Sequence, residues 1–132
     1  MIGGKTMLIP ENLKYTKEHE WVAVDGTVAT IGITAYAAQE LGDIVFVDID
    51  TTPRDLASGE TVGSIEAVKT VSDLFAPCAG KLTEVNEALK DTPEVVNSDP
   101  YEAGWMYRCE IADQAEIDGL LTPAQYKELI GE

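Results

Sequence analysis

Alternating apolar and polar positions run through most of the chain and predict mainly β structure. The two runs that flank Asp25 and Gly26 predict a hairpin, because this dipeptide favours a tight turn between antiparallel strands. Residues 43–50 are dense in β-branched side chains and predict a strand, whereas the Pro, Ser and Gly of residues 51–60 predict a loop. Further strands are expected in four later runs, TVGSIEAV, TVSDLFAP, GKLTEVN and WMYRCEIA. Strands at this short spacing indicate a small sandwich or barrel.

Two segments have the end signals of α-helices. TAYAAQELG begins with Thr34 as a candidate N-cap, contains helix-forming residues as far as Leu41, and stops at Gly42, which predicts a helix of about two turns. Near the end of the chain, Thr122 is a candidate N-cap and Pro123 occupies the first helical position. This second pattern predicts a C-terminal helix that docks through one apolar face, made of Tyr126, Leu129 and Ile130.

The length of 132 residues suits one domain with a proper core and leaves little room for a second. The segment ALKDTPEVVNSDPYEAG is expected to be irregular and turn-rich, because Pro93 and Pro100 interrupt regular structure. The mean hydropathy is −0.06, and no apolar run approaches the roughly 20 residues that span a bilayer. We therefore predict a single domain over residues 1–132 that does not enter a membrane.

The chain is strongly acidic, with a formal charge of −15. This charge argues against nucleic acids and anionic membranes as partners, because both would repel it, and it favours partners with basic docking surfaces. The first residues contain neither an apolar signal core nor an Arg-rich transit sequence, so we expect a cytoplasmic protein or a mature organelle protein whose presequence has been removed. Met1 to Thr6 are interpreted either as a native upstream extension or as residues added for expression.

Familiar catalytic motifs are missing from this sequence. It contains no GxSxG, P-loop, Rossmann glycine pattern or HExxH, so an independent enzyme is not favoured. His19 is flanked by Glu18 and Glu20, which would favour its protonated form; we interpret it as a surface residue, with a pocket-lining role as the alternative. Cys78 and Cys109 lack the spacing of metal ligands, and their apolar contexts predict reduced core thiols rather than a disulfide. We expect no metal site.

Lys69 is the only cation in the run GSIEAVKTVSDLFAPCAG, residues 63–80. In one continuous strand it would share an apolar face with Ile65, Ala67 and Val71, where burial of an unpaired ammonium would be costly. Two arrangements avoid this cost: Lys69 reaches solvent from an edge strand, or the chain turns back at Lys69 in a hairpin. The similar lengths of the flanking runs favour the hairpin, although no Gly, Asn or Pro marks a tight turn. At such a tip the amine would be well presented to an acylating enzyme; a plain solvated loop lysine is the alternative.

Five long blocks of the sequence resemble the family of glycine cleavage system H proteins. They are IPENLKYTKEHEWV, ATIGITAYAAQELGDIVFVDI, GSIEAVKTVSDLFAPCAGKLTEVNEAL, PEVVNSDPYEAGWM and LLTPAQY, and they cover nearly everything from Leu8 to Tyr126. The resemblance implies a mainly β, barrel-sandwich hybrid fold with a short internal helix and a C-terminal helix. It also implies a lipoyl-binding core at about residues 28–110, with the strand of an N-terminal hairpin before it and the C-terminal helix after it.

The resemblance further implies a site of covalent modification. In this family a lipoyl group is attached to the lysine of a motif similar to ESVKAVSD, and the matching residues here are EAVKTVSD, so the implied attachment site for (R)-lipoate is Lys69. The departures from the family motif are Ala67 and Thr70, and both are small changes. Biotin carriers of related fold typically flank the lysine with Met, so Val68 and Thr70 favour lipoate over biotin. The remaining neighbours in the motif are Glu66, Ser72 and Asp73.

The function implied by the resemblance is that of a mobile substrate carrier rather than a catalyst. In the family, glycine decarboxylase (P protein) loads an aminomethyl group onto the lipoyl arm. The aminomethyltransferase (T protein) passes its carbon to tetrahydrofolate, and dihydrolipoamide dehydrogenase (L protein) reoxidises the dithiol. Lipoylation enzymes are further implied partners. Two alternatives are a lipoyl donor or relay for other lipoylated complexes and an unmodified adaptor domain.

A reactive adduct carried on the arm would need shelter from water, so we expect a surface groove that receives it. Candidate positions lie in the N-terminal YTKEHEW segment and in the turn after the short helix. The residues proposed for this groove are His19, Glu18 and Trp21.

Overall fold

The computed structural model describes residues 8–131, so the interpretation of Met1 to Thr6 concerns residues outside the described part. Residues 8–131 form nine strands, four α-helices and one 3₁₀ turn at Glu87–Lys90. The strands are β1 (Lys14–Tyr15), β2 (Glu20–Asp25), β3 (Val28–Ile33), β4 (Ile44–Ile49), β5 (Arg54–Leu56), β6 (Thr61–Ala67), β7 (Val71–Phe75), β8 (Gly80–Val85) and β9 (Tyr107–Ile111). The helices are α1 (Ala35–Leu41), α2 (Val95–Ser98), α3 (Gln114–Asp118) and α4 (Pro123–Leu129).

The strands form two antiparallel sheets with the main core between them. One sheet has six strands in the order β1-β2-β3-β9-β8-β5, and the other has three in the order β4-β6-β7. The sheets do not close into one barrel, and together with the short helices they confirm the predicted mainly β fold of the barrel-sandwich hybrid type. The division into a core at residues 28–110 and flanking elements stays a prediction. Within residues 8–131, every helix is too short or too polar to cross a bilayer.

The hairpin predicted around Asp25 and Gly26 is confirmed, with its turn one residue further along the chain. Asp25 pairs with Val28, so the two loop residues are Gly26 and Thr27. Gly26 has a φ of 66°, whereas Thr27 keeps a negative φ. This is the pattern of a type II′ turn, whose first central residue alone needs positive φ, and glycine adopts that conformation without steric cost.

Segments that were predicted to be irregular contain short regular elements. Residues 51–60, expected to be a loop, include β5, which pairs with β8. The Pro-containing segment expected to be irregular includes the 3₁₀ turn and α2, which begins two residues after Pro93. Helix α3 was not predicted; the Asp113 side chain caps it by accepting a hydrogen bond from the Ala115 N–H. Elements of three to five residues are too short to show a reliable hydrophobic period, so sequence analysis misses them.

Side-chain caps define the two predicted helices. At the start of α1, Thr34 Oγ1 accepts a hydrogen bond from the Ala37 N–H, and Gly42 ends the helix with a φ of 80°. At the start of α4, Thr122 and Gln125 form a reciprocal capping box. Both helix predictions are therefore confirmed, with the cap residues that the sequence indicates.

The C-terminal helix docks on a small aromatic cluster separate from the main core. Tyr126 is fully buried in this cluster and Ile130 packs against it, but Leu129 is 48% exposed, so the predicted apolar face is too wide by one residue. Cys78 and Cys109 lie buried in the main core as free thiols, as predicted. The aromatic cluster consists of Ile9, Leu13, Tyr15, Trp21 and Tyr126.

Candidate functional site

Lys69 lies at the tip of a hairpin formed by β6 and β7. The strands pair antiparallel, and the Ala67 N–H donates a hydrogen bond to the Thr70 carbonyl at 2.8 Å. Val68 and Lys69 are therefore the two central residues of the turn. The hairpin alternative is confirmed, and a continuous strand that carries Lys69 on an apolar face is wrong.

The turn at the tip is held by a contact from another part of the chain. Among the non-glycine residues of the described range, His19 alone has a positive φ, so Val68 and Lys69 do not form a type I′ or II′ turn. Instead, the Val68 N–H donates a hydrogen bond of 3.0 Å to the carbonyl of Asp43, at the start of the neighbouring β4. This bond explains why the turn forms without the glycine or asparagine that usually marks a tight hairpin.

The Lys69 side chain is exposed and its stem passes over Gly42. A Cβ at position 42 would lie 3.2 Å from Lys69 Cε and 3.9 Å from Lys69 Nζ. Three ion pairs occur within residues 8–131, and none of them involves Lys69. The amine is thus accessible and untethered, next to a glycine that leaves room for the stem.

A cavity of about 220 Å³, called here the tip cavity, opens beside the hairpin. Its walls come from α1, the segment before β2, and the strands β6 and β7. It begins close to Lys69, because Leu41 directly precedes Gly42 and Ser72 follows Lys69 by three positions. The residues that line it include His19, Glu20, Tyr36, Ile65, Ser72 and Asp73.

His19 is a half-buried wall residue of the tip cavity rather than a surface residue. Its Nδ1 lies 2.9 Å from the Tyr126 hydroxyl, which lies 2.7 Å from Thr34 Oγ1 at the cap of α1. Burial lowers the pKa of His19, and the nearby carboxylates of Glu18 and Glu40 offset this only in part. The predicted preference for protonation is therefore wrong, because desolvation outweighs the attraction of the flanking charges.

Glu20 is a buried carboxyl that bridges the two sheets at the inner end of the tip cavity. It is 1% exposed, its Oε2 accepts a 2.7 Å hydrogen bond from the Phe75 N–H, and its Oε1 accepts one of 3.2 Å from the Thr16 hydroxyl. Burial raises its pKa to about 8, although both hydrogen bonds favour the charged form. At neutral pH the carboxyl is thus mostly protonated. The sequence contains one signal for this burial: Glu20 occupies an inward position of an alternating strand. From the sequence alone, Glu20 is treated only as a charged neighbour of His19.

The remaining predicted residues divide between the cavity, the tip and the core. Glu18 lies at the cavity mouth, and Ser72 and Asp73 lie in its wall. Trp21 does not reach the cavity: it is 2% exposed, and its indole N–H donates a 2.9 Å hydrogen bond to the Pro100 carbonyl. Its assignment to the groove is therefore corrected to a core role.

A second, larger cavity of about 430 Å³ is also lined by Glu18 and Glu20, and neither Val68 nor Lys69 lines it.

Asn97 was missed by the sequence analysis, although it supports the tip. Its Nδ2 donates a 2.9 Å hydrogen bond to the Gly42 carbonyl, and its Oδ1 accepts one of 3.0 Å from the Ile44 N–H. These two bonds hold both sides of Asp43, whose carbonyl accepts the hydrogen bond from Val68. Asn97 thus positions the tip through the turn between α1 and β4.

Replacing Asn97 with alanine is expected to loosen the tip. The loss of two side-chain hydrogen bonds to the backbone should cost roughly 1–3 kcal/mol of unfolding free energy. Because the Asp43 carbonyl is then less well held, the Val68 amide should exchange with solvent about tenfold faster or more. Chemical denaturation and residue-resolved hydrogen exchange measure the two effects.

The matched control for this prediction is Asn86→Ala. Asn86 is also half-buried and its Nδ2 also donates to two backbone carbonyls, those of Ala103 and Trp105, away from the tip. Both variants should lose comparable stability, and only Asn97→Ala should accelerate exchange at Val68. Equal exchange at Val68 in the two variants would show that Asn97 does not position the tip.

Comparisons with known proteins agree on one family. The model of the family described as "Glycine cleavage H-protein" matches residues 13–132. Proteins named glycine cleavage system H protein from two strains of Staphylococcus epidermidis are 56% and 55% identical over 126 residues, which is 96% of this chain and 100% of each relative. The crystal structure of a glycine cleavage system H protein from Mycobacterium marinum is similar with a TM-score of 0.86 and 38% identity, over 94% of this chain and 100% of that one.

Proposed function

The chain belongs to the glycine cleavage H-protein family, and we propose that its lipoyl group is attached to Nζ of Lys69. Its role is that of a lipoyl carrier in the glycine cleavage system. The observation that carries the proposed attachment site is the position of Lys69, exposed at a hairpin tip that is braced by the Asp43 carbonyl.

The chemistry of attachment fits the residues at the tip. Amide formation needs an amine that can meet an enzyme without first breaking an ion pair, and within residues 8–131 Lys69 takes part in none of the ion pairs. Lys90 differs, because its ammonium lies 3.7 Å from the Glu87 carboxylate. Conversion of the Lys69 ammonium to an amide removes one positive charge, so the formal charge changes from −15 to −16.

The tip cavity supports a resting place for the lipoyl arm. When attached, the lipoyl group supplies a dithiol that carries the aminomethyl group of glycine between partner enzymes. Ile65 and Tyr36 offer apolar and aromatic wall surface to such an arm, and His19 closes the cavity from the side of β2. Glu18 and Glu40 also line the cavity and offer exposed carboxyl groups to a cationic amine on the arm. We infer that these residues shield the cargo between enzyme visits.

Membership in the family implies glycine decarboxylase, aminomethyltransferase and dihydrolipoamide dehydrogenase as partners in general. We propose that this chain itself is not catalytic and that its acidic surface docks on basic surfaces of these enzymes in turn. Docking of this kind should be weak and salt-sensitive, because exposed charges are screened by salt. Rapid exchange between successive partners requires such weak binding.

The direct test is lipoylation of the purified protein followed by reconstitution of the pathway. After incubation with lipoate, ATP and a lipoate ligase, we expect the intact mass to increase by one lipoyl group and peptide mapping to place it on Lys69. The modified protein should then support glycine oxidation with purified P, T and L proteins. Modification without glycine oxidation would favour a lipoyl relay, and an unchanged mass would favour an unmodified adaptor.

A further inference from the structure

The outward side of the three-stranded sheet has two rows of side chains with different chemistry. Register places Phe46, Glu66 and Val71 in one row across β4, β6 and β7, directly beside the tip. The next row, one step further from the tip, contains Asp48, Ser64 and Asp73. We call this side of the sheet, together with Val68 at the tip, the outer face.

Exposed apolar side chains are concentrated on the outer face. Seven large hydrophobic residues are exposed within residues 8–131, and four of them lie here, with exposed fractions of 46% for Phe46, 47% for Val45, 72% for Val68 and 63% for Val71. Single exposed apolar residues are normal on a protein surface, but a cluster of four around one lysine is not. These exposed side chains lower the solubility of the protein and do not pack in the core. Such a cluster indicates a surface that another protein covers.

We propose that the outer face is the docking surface for the enzyme that attaches the lipoyl group to Lys69. This inference rests on the proposed attachment site. The partner surface is expected to combine apolar groups with basic ones around the mouth of its active site. The apolar groups meet Phe46, Val68 and Val71, and the basic groups meet the carboxyl group of Glu66, between Phe46 and Val71, and that of Asp48 in the next row.

The geometry of the reaction selects this enzyme among the possible partners. An enzyme that forms a bond to Nζ must bring its reacting atoms to the tip itself, and its surface then covers the residues next to Lys69. The enzymes that use the finished arm act at its distal end, a full lipoyl chain away from Nζ. Those enzymes have no chemical need to contact Phe46 or Val71, so the apolar cluster is best explained by the attaching enzyme.

The covalent step needs one co-substrate, an activated acyl donor that is either a lipoyl adenylate or a lipoyl thioester. Lys69 Nζ loses a proton and attacks the acyl carbon, a C–N bond forms, and the bond from that carbon to the phosphate oxygen or thiol sulfur breaks. Nitrogen then loses a second proton, and the leaving group departs as AMP or a thiol.

The experiment compares lipoylation rates of outer-face variants with matched controls. Phe46→Thr and Val71→Thr each place a polar β-branched residue in an exposed strand position, and Val24→Thr is the matched control for the second change, at a residue of β2 that is 39% exposed. The mass increase with time, measured at several protein concentrations with a lipoate ligase, lipoate and ATP, provides kcat/KM. Circular dichroism and thermal melting confirm that each variant is folded.

We expect kcat/KM for lipoylation to fall roughly tenfold in the Phe46→Thr, Val71→Thr double variant and to remain unchanged in Val24→Thr. Added salt should lower kcat/KM of the wild type, because the carboxyl groups of the outer face are exposed. After prolonged lipoylation to completion, the double variant should support glycine oxidation at the wild-type rate. This last result separates docking of the attaching enzyme from docking of the enzymes that use the arm.

Two outcomes would overturn the inference while leaving the attachment site intact. One is an equal kcat/KM for lipoylation in the double variant and the wild type. The other is normal lipoylation with slow glycine oxidation in the double variant, which would assign the outer face to the cleavage enzymes. If wild-type protein gains no lipoyl group on Lys69, the proposed function fails and this inference fails with it.

Discussion

Lys69→Arg is expected to gain no mass with lipoylating enzymes and to have no detectable activity in a reconstituted glycine cleavage assay. The guanidinium stays protonated at any pH at which the protein is folded, so it has no free lone pair for attack on an acyl carbon. The positive charge is retained, and the residue lies exposed at a turn held by backbone hydrogen bonds. The unfolding free energy should therefore change by no more than about 0.5 kcal/mol.

The control for Lys69→Arg is Lys81→Arg, an identical change at an exposed residue of β8. This variant should be lipoylated and active at the wild-type level. A mass increase in Lys69→Arg would show that another amine carries the group. A loss of several degrees in its melting temperature would show that Lys69 has a structural role instead.

Glu20→Gln is expected to remove a pronounced decrease in stability between pH 5 and pH 8. The pKa of the Glu20 carboxyl in the folded protein is about 8, well above the usual value of 4.5. Between these two values the folded protein holds a proton that the unfolded chain has released, so stability falls as pH rises. The contribution is fully present below about pH 4.5 and decreases on the order of 3 kcal/mol between pH 5 and pH 8. Glutamine is neutral throughout and still accepts the Phe75 hydrogen bond through its amide oxygen.

Urea denaturation of Glu20→Gln and wild type across this pH range measures the effect directly. The difference in unfolding free energy between the two proteins should grow in favour of Glu20→Gln as pH rises. Glu11→Gln is the matched control, because Glu11 is an exposed carboxyl group near the start of the same sheet and is not among the groups that shift the pKa of Glu20. If wild type and Glu20→Gln have parallel pH profiles, the buried carboxyl is not protonated in the folded protein.

Local patterns predicted the parts of the fold that are decided by neighbouring residues. Asp25 and Gly26 indicated the first hairpin, and the side chains of Thr34 and Thr122 indicated the two capped helices. Each of these signals acts within four residues, so its physical cause is present in the sequence window itself. The same reasoning was wrong about β5 and α2 and made no prediction for α3, because elements of three to five residues owe their existence to packing.

Some features of the candidate site also follow from neighbouring residues, whereas others depend on distant segments of the chain. The sequence determined by itself that Lys69 is the chemically distinctive residue, because one cation in an apolar run cannot be buried unpaired and its flanking motif matches a lipoyl carrier. The surroundings of Lys69 could be predicted only in part. Sequence reasoning placed His19 and Glu18 among the groove candidates, and both line the tip cavity. It also interpreted His19 as a surface residue and Trp21 as a groove residue, since burial depends on which distant elements cover a position.

Only the tertiary structure decided how the lysine is presented and what lies beside it. The tip turns because the Asp43 carbonyl accepts the Val68 N–H, and the Asp43 turn is held by Asn97, which lies 53 positions from its partner Ile44. Glu20 reaches Phe75 across 55 positions, and the desolvation that keeps its carboxyl neutral exists only when the two sheets are packed together. Hydrogen bonds and burial between distant segments leave no periodic signal in the chain, so the sequence indicates Lys69 as the expected attachment site, and the fold determines what holds its turn and which residues lie beside it.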